Sequence, residues 1–176
     1  MKRIAILIFV FVPVFCFAQS KKAMSNFWDI PWGTSIDRAE AIFAERGLIS
    51  FKNENTLLAQ AVYEREDALI MLVFNRASRL HSAHVIYSSC KDTAMPKYEH
   101  YRAVLFRRYG MSDTAVAYFQ EPYRSGDGRE AEAIQSDNAF FFTEWNFEDK
   151  CLASLSILKS LEVCMTFKNP AYEDRR

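Results

Sequence analysis

The polar and apolar positions fall into two successive runs, each a helix-period segment followed by strand-period segments. In the first run Ile36, Ala39, Phe43 and Arg46 keep helical spacing, which predicts a helix over residues 35–46. Thr34 stands at its N-cap with Asp37 three residues on, close to a capping box. Gly47 fits the left-handed position after the helix, and Leu48 can fold back onto the last turn. Three strands follow, Thr56 to Glu64, Ala68 to Asn75 and Arg79 to Ser88. The polar turn Arg65-Glu66-Asp67 makes a hairpin of the first two. Leu69 to Phe74 is apolar at every position, which predicts a central strand covered on both faces. In the third strand Ala83, Val85 and Tyr87 share one face.

The second run repeats the order. Lys97 to Tyr109 is a predicted helix with Pro96 in its first turn and a buried stripe of Tyr98, Tyr101, Leu105 and Tyr109. Gly110 closes it as Gly47 closes the first. A strand-like piece, Thr114 to Phe119, leads into a polar loop over residues 120–137 that contains the turn signal Ser125-Gly126-Asp127-Gly128. Strands over Asn138 to Phe147, Leu152 to Leu158 and Leu161 to Lys168 complete it. Ahead of both runs, Phe27 to Trp32 reads as a short strand, and Pro31 either places it at a sheet edge or ends it early. The fold class is therefore α+β, an antiparallel sheet with two main helices, and the order suggests two tandem α-β-β-β units. The helix ends Ile42-Phe43-Ala44-Glu45-Arg46-Gly47-Leu48 and Leu105-Phe106-Arg107-Arg108-Tyr109-Gly110-Met111 resemble one another.

The amino terminus adds a compartment. Met1-Lys2-Arg3 precedes an almost uninterrupted apolar run, Ile4 to Phe17, and Cys16 and Ala18 supply small residues before polar Gln19. That is the layout of a secretory signal peptide over residues 1–18. The run of about fifteen residues, broken by Pro13, is short of the roughly 20 that span a bilayer. Phe15 is bulky where lipid attachment at Cys16 would want a small residue. Cleavage leaves a linker over 19–26, one α+β domain over 27–170 and a frayed tail over 171–176, with no integral membrane segment. The product is exported, periplasmic or secreted.

Composition narrows the partners. The chain has 176 residues, 22 Lys and Arg against 22 Asp and Glu, and loses Lys2 and Arg3 with the leader, for a net charge of about −2. That balance does not point to nucleic acid. Aromatic residues make up 15%, enough for an aromatic core and a contact surface besides. Two sets are candidate binding residues: Trp28 and Trp32, which share a face if their strand is regular, and Tyr118, Phe119 and Tyr123, which precede the polar loop.

Export permits disulfides, and Cys90, Cys151 and Cys164 remain after cleavage. Strand alternation puts Cys151 and Cys164 on opposite sides of one hairpin. Cys90 ends one strand and Cys151 begins another, so Cys90–Cys151 is the favoured bridge if those strands are antiparallel neighbours; three unpaired cysteines is the competing reading.

The chemistry-bearing motifs are few. There is no nucleophile elbow, phosphate loop, His-Glu-x-x-His helix, dinucleotide glycine motif or Cys-x-x-Cys pair. His81 and His84, three apart on a strand, lie on opposite faces, a poor arrangement for shared zinc ligation. No catalytic residue, metal site or cofactor is assigned.

The run Ile30-Pro31-Trp32-Gly33-Thr34-Ser35 resembles the Trp-Gly-x-Ser helix entry of many uncharacterised exported bacterial proteins. Those continue with a hairpin, a Phe-Asn-x-x-x-x-Leu stretch (Phe74-Asn75 to Leu80), a helix ending Tyr-Gly (Tyr109-Gly110) and a Trp-bearing strand (Trp145). The likeness covers roughly residues 27–168 and implies a small α+β envelope domain with no activity attached. A looser architectural similarity runs to tandem α-β-β-β modules of the β-lactamase-inhibitor and outer-membrane-assembly lipoprotein type. The expected function is a non-catalytic binding or assembly module, its partner a protein or small molecule, touching it at the sheet edge near Pro31 or at Tyr118–Tyr123. A hydrolase with a non-motif site and a carrier of a small apolar ligand are the alternatives.

Overall fold

The structure, a computed structural model, describes residues 23–174; the leader over 1–18, the start of the linker and the last two residues lie outside them. A two-stranded ribbon comes first, β1 (Asn26–Phe27) and β2 (Ile30–Pro31). Helix α1 (Ile36–Glu45) precedes a meander of β3 (Ser50–Asn53), β4 (Thr56–Tyr63), β5 (Glu66–Phe74) and β6 (Leu80–Tyr87). Helix α2 (Ala94–Tyr109) precedes a second meander of β7 (Thr114–Phe119), β8 (Ala139–Asn146), β9 (Leu152–Ile157) and β10 (Val163–Lys168), with short α3 (Glu130–Gln135) between β7 and β8.

The fold is thus α+β with two main helices, as the pattern predicts, and each unit carries four strands, one more in the first unit than the pattern shows. The missed strand, Ser50–Asn53, is short and almost wholly exposed, so it leaves no apolar alternation to read. All eight strands form one antiparallel sheet in the order β3-β4-β5-β6-β10-β9-β8-β7. Each unit is a meander, and the last strands of the two pair at the centre, so the order of equivalent strands reads the same from either edge.

Local sequence explains the ends of α1. Ser35, one residue after the predicted cap, accepts from the Arg38 amide. Gly47, at φ +72°, donates to Ala44 O while Leu48 N donates to Phe43 O, the paired bonds of a Schellman ending. The β4–β5 hairpin is tighter than predicted. Glu64 and Arg65 turn it in left-handed conformation and Glu66 enters the ladder opposite Tyr63. Its carboxylate is claimed there by Lys97 and by Tyr101 Oη (2.7 Å), both from α2, which draws a charged residue out of the turn and into the strand.

The core lies on one face of the sheet. Leu57, Ile70, Leu72, Val85, Val163, Met165, Leu155 and Trp145 point there under the helices, all fully or nearly fully buried. Tyr101 of α2 stacks on Tyr87 at 4.0 Å, and Tyr98 shares a 2.7 Å hydrogen bond with Thr143. The β1–β2 ribbon fills the same side, with Phe27 against Tyr63 and Phe167. Pro31 therefore belongs to this ribbon, where β2 ends at it, and not to an edge of the main sheet. The linker residue Met24 is already buried, and its carbonyl accepts from Trp32 Nε1 at 2.7 Å.

Part of the predicted tail is bonded to the domain, and its last two residues lie outside the described ones. Pro170–Tyr172 forms a 3₁₀ turn, Asn75 Nδ2 donates to Tyr172 O at 2.7 Å, and the Arg76 amide donates to Asp174.

Candidate functional site: the uncovered sheet face

The helices and the ribbon all lie on one side, so the other face of the sheet meets solvent. The register lays out what it presents. One row crosses all eight strands as Phe51, Leu58, Met71, His84, Thr166, Ser154, Glu144 and Thr114. The next runs Gln60, Leu69, Ile86, Cys164, Ser156, Phe142 and Val116. Phe140 and Tyr118 continue it toward one corner and Val62 toward another. One flank is therefore apolar in both rows, the other is apolar in the second row and carries Glu144 and Thr114 in the first, and a central strip of small hydroxyls around one imidazole lies between them. Val62 is 63% exposed, and Tyr118 and Phe140, stacked at 5.4 Å, are each 48% exposed.

The strip is bonded and electrically neutral at its centre. His84 Nε2 lies 3.2 Å from Ser82 Oγ, and Nδ1 lies 3.0 Å from Thr166 Oγ1. Burial foremost, then the charges of Lys168 and His81, pushes the His84 imidazole down to about 4, so it is uncharged at neutral pH. His81 is the unpaired residue at the irregularity where the β5–β6 register shifts between Ser82 and Leu80, so strict alternation does not run through it. Among the described residues, no group of three His, Cys, Asp or Glu is placed to hold a metal ion. No described helix is long and apolar enough to cross a membrane.

The candidate aromatics separate. Tyr118 is on the open face, whereas its neighbour Phe119 turns to the helix side against Phe141. Tyr123 lies in the loop, with its hydroxyl on Glu132 and the Arg129 guanidinium 4.5 Å from its ring. Trp32 is a buried core residue. Trp28 is in the ribbon turn at φ +48°, so the strand is not regular and the two tryptophans do not share a face. Its ring packs on Phe43 and Tyr63 under the Arg46 guanidinium at 4.6 Å.

Trp28 also borders a cavity of about 300 Å³, lined by Asp29, Tyr63, Glu64, Arg108 and Tyr109. Arg108 is committed there to Glu64 and to Tyr63 Oη at 3.4 Å. Burial, above all, raises the Tyr63 phenol to about 12, so it remains protonated.

All three cysteines within the described residues are free. Topology explains why Cys90 and Cys151 do not meet. Strands β6 and β9 both run antiparallel to β10, which lies between them, so they are parallel to each other. The end of β6 and the start of β9 consequently lie at opposite ends of the sheet. Cys90 is exposed before α2, whereas Cys151 is buried with its thiol on Met24 O. Cys151 and Cys164 do fall on opposite sides of their hairpin, Cys164 being on the open face.

The sequence signal for this face lies in apolar residues of both parities. Leu57-Leu58, Leu69 to Phe74 and Phe140-Phe141-Phe142 carry at least one apolar residue outward for each one carried inward. That pattern was expected to mean cover on both faces; β5 instead keeps Leu69, Met71 and Val73 half-exposed, because both units send their helices to the same side.

No family model, curated protein or solved structure matches the chain.

Proposed function

We propose that this is an exported envelope protein that acts without catalysis, as a binding or assembly module holding another protein against the open face of its sheet. The observation that carries this is the open face itself, with Phe51, Leu58, Met71 and Leu69 on one flank, Phe142, Val116, Phe140 and Tyr118 on the other beside Glu144, the hydroxyls of Thr166, Ser154 and Ser156 between, and no described element over it. Eight strands set seven spacings apart make the face about 34 Å wide. That is the scale of one side of a stable protein interface, about 800 Å² per partner. The uncharged His84 and the hydroxyls of Ser82, Thr166 and Ser156 suit neutral polar groups at the middle of a contact. The basic-apolar-small leader and the Trp-Gly-x-Ser resemblance support the envelope setting.

A photo-crosslinking amino acid at Met71 or Phe140, in cells producing the full chain, tests this reading. It should give one discrete adduct, absent when the probe is at Phe106 on the helix side and lost in an Ile86→Glu variant. Adducts equal from Phe106, or turnover of a substrate by the purified protein, would overturn it. The amino terminus of the recovered protein tests export: Gln19 is expected, and an intact Met1 refutes it.

The Trp28-bordered cavity favours a second reading, carriage of a small amphiphile, since its volume is at the lower end of the usual ligand range. Saturable quenching of tryptophan fluorescence by such a probe, abolished in Arg108→Ala, would support it.

A further inference from the structure

The two edges of the sheet are not equivalent, although the units that supply them are. Edge strand β3 has four residues, and its Lys52 is tied to Asp37 and Glu40 of α1. A short strand bearing a lysine is an ordinary guard against pairing with another chain. Edge strand β7, Thr114-Ala115-Val116-Ala117-Tyr118-Phe119, has no charge and no proline, and its register with β8 runs unbroken. Its first five residues are exposed on both faces. The following segment does not shield it: the Gln120 amide bonds to Asn138 O, and the chain turns back toward α3.

Parity tells which backbone groups are unpaired. Because Gln120 N donates to Asn138 O, even-numbered residues of β7 bond inward to β8. The amides and carbonyls of Ala115 and Ala117 point out of the sheet.

We infer that β7 pairs with β7 of a second copy of this chain, antiparallel about a two-fold axis at Val116, to give a continuous sixteen-stranded sheet. The sequence is self-complementary at that axis. Ala115 faces Ala117 of the second copy and Ala117 faces its Ala115, so the outward groups on both sides form four hydrogen bonds. Val116 faces its own equivalent on the open face, which extends the apolar row through Phe142 and Val116 across the axis. Thr114 faces Tyr118, so no like charges oppose one another. On the helix side only Ala115 and Ala117 meet, too small to clash. A contact this small belongs to the transient class, with a dissociation constant of about 1–100 µM.

The test is sedimentation velocity on the purified full chain as exported, over about 1–200 µM. A reversible monomer–dimer equilibrium is expected. Ala117→Pro removes an amide that β8 does not use, so the fold is kept while the dimer weakens at least tenfold. Val116→Lys and Val116→Glu should each be monomeric, and their mixture should dimerise again, because opposite charges then face one another at the axis. Asn53→Lys on the other edge should leave the monomer–dimer equilibrium unchanged. A wild type monomeric throughout, a dimer that survives Ala117→Pro, or a mixture that stays monomeric overturns the inference. So does pairing with a strand of a different protein in place of the second copy. None of these outcomes touches the crosslinks from Met71, so loss of the dimer is distinguishable from loss of the face reading.

Discussion

His84 makes the open face a reporter of acid. The unfolded chain holds a proton on this ring up to about pH 6.5, whereas the folded protein holds one only below about pH 4. Between those values the unfolded state binds more protons, so stability is complete above the unfolded value and is lost as pH falls through the window. Linkage with both values gives a loss of about 2 kcal/mol by pH 5. The ring is only half-buried, and water reaching it reduces this to roughly 1–2 kcal/mol. His84→Gln keeps groups that can bond Ser82 and Thr166 but cannot titrate. Urea unfolding of both proteins at about pH 7.5 and pH 5 is the assay, and the quantity read is the difference between the two pH dependences. His81, whose pKa is also lowered by burial, and the carboxylates are common to both proteins and drop out. The wild type should lose roughly 1–2 kcal/mol more than the variant over this interval. Equal losses would refute the burial of the imidazole in the central strip.

Gly47→Ala should cost about 1 kcal/mol in chemical unfolding, since it strains a left-handed residue in open space. Gly33→Ala should cost more, because its Cβ would come within 2.6 Å of the Tyr172 ring; adding Tyr172→Ala should recover the steric part alone. Native protein should expose one thiol to Ellman's reagent, Cys90, whose thiol is lowered foremost by the Thr93 hydroxyl. Cys151, raised to about 12 by burial, and Cys164 should react only on unfolding. Thr143→Val and Tyr98→Phe should each cost about 1–3 kcal/mol by orphaning a buried hydroxyl, and together less than their sum; strict additivity in thermal unfolding would contradict the 2.7 Å bond.

Sequence pattern located what depends on local chemistry. Gly47 and Gly110 punctuate the helices, and the spacing of Ile36, Ala39 and Phe43 gives α1 its buried side. The same pattern missed what depends on partners. Glu66 looks like a turn residue until Lys97 and Tyr101 arrive from α2 to hold it in a strand. Residues 130–135 look like polar loop, yet Ala131, Ala133 and Ile134 form one buried side of α3. Cys90 and Cys151 look adjacent only if β6 neighbours β9, and β10, last in the chain, comes between them. Tyr118 and Phe119 are consecutive, so alternation sends them to opposite faces whatever their shared composition suggests.

The apolar character of the open face has no evident structural purpose. Val62, Phe140 and Tyr118 keep between about half and two-thirds of their surface in water, so folding gains little from them. A sheet with one solvated face is ordinarily polar there, and threonine would serve each of these positions as a strand former. Residues that do little for the monomer, aligned across two units and left uncovered by three helices, are best accounted for by a surface that is covered part of the time. Stability and binding should therefore separate on this face. Changes at Leu155 or Tyr101, on the helix side, threaten the fold, while Phe140→Thr and Val62→Thr together should leave the unfolding midpoint nearly unmoved and still abolish the Met71 crosslink.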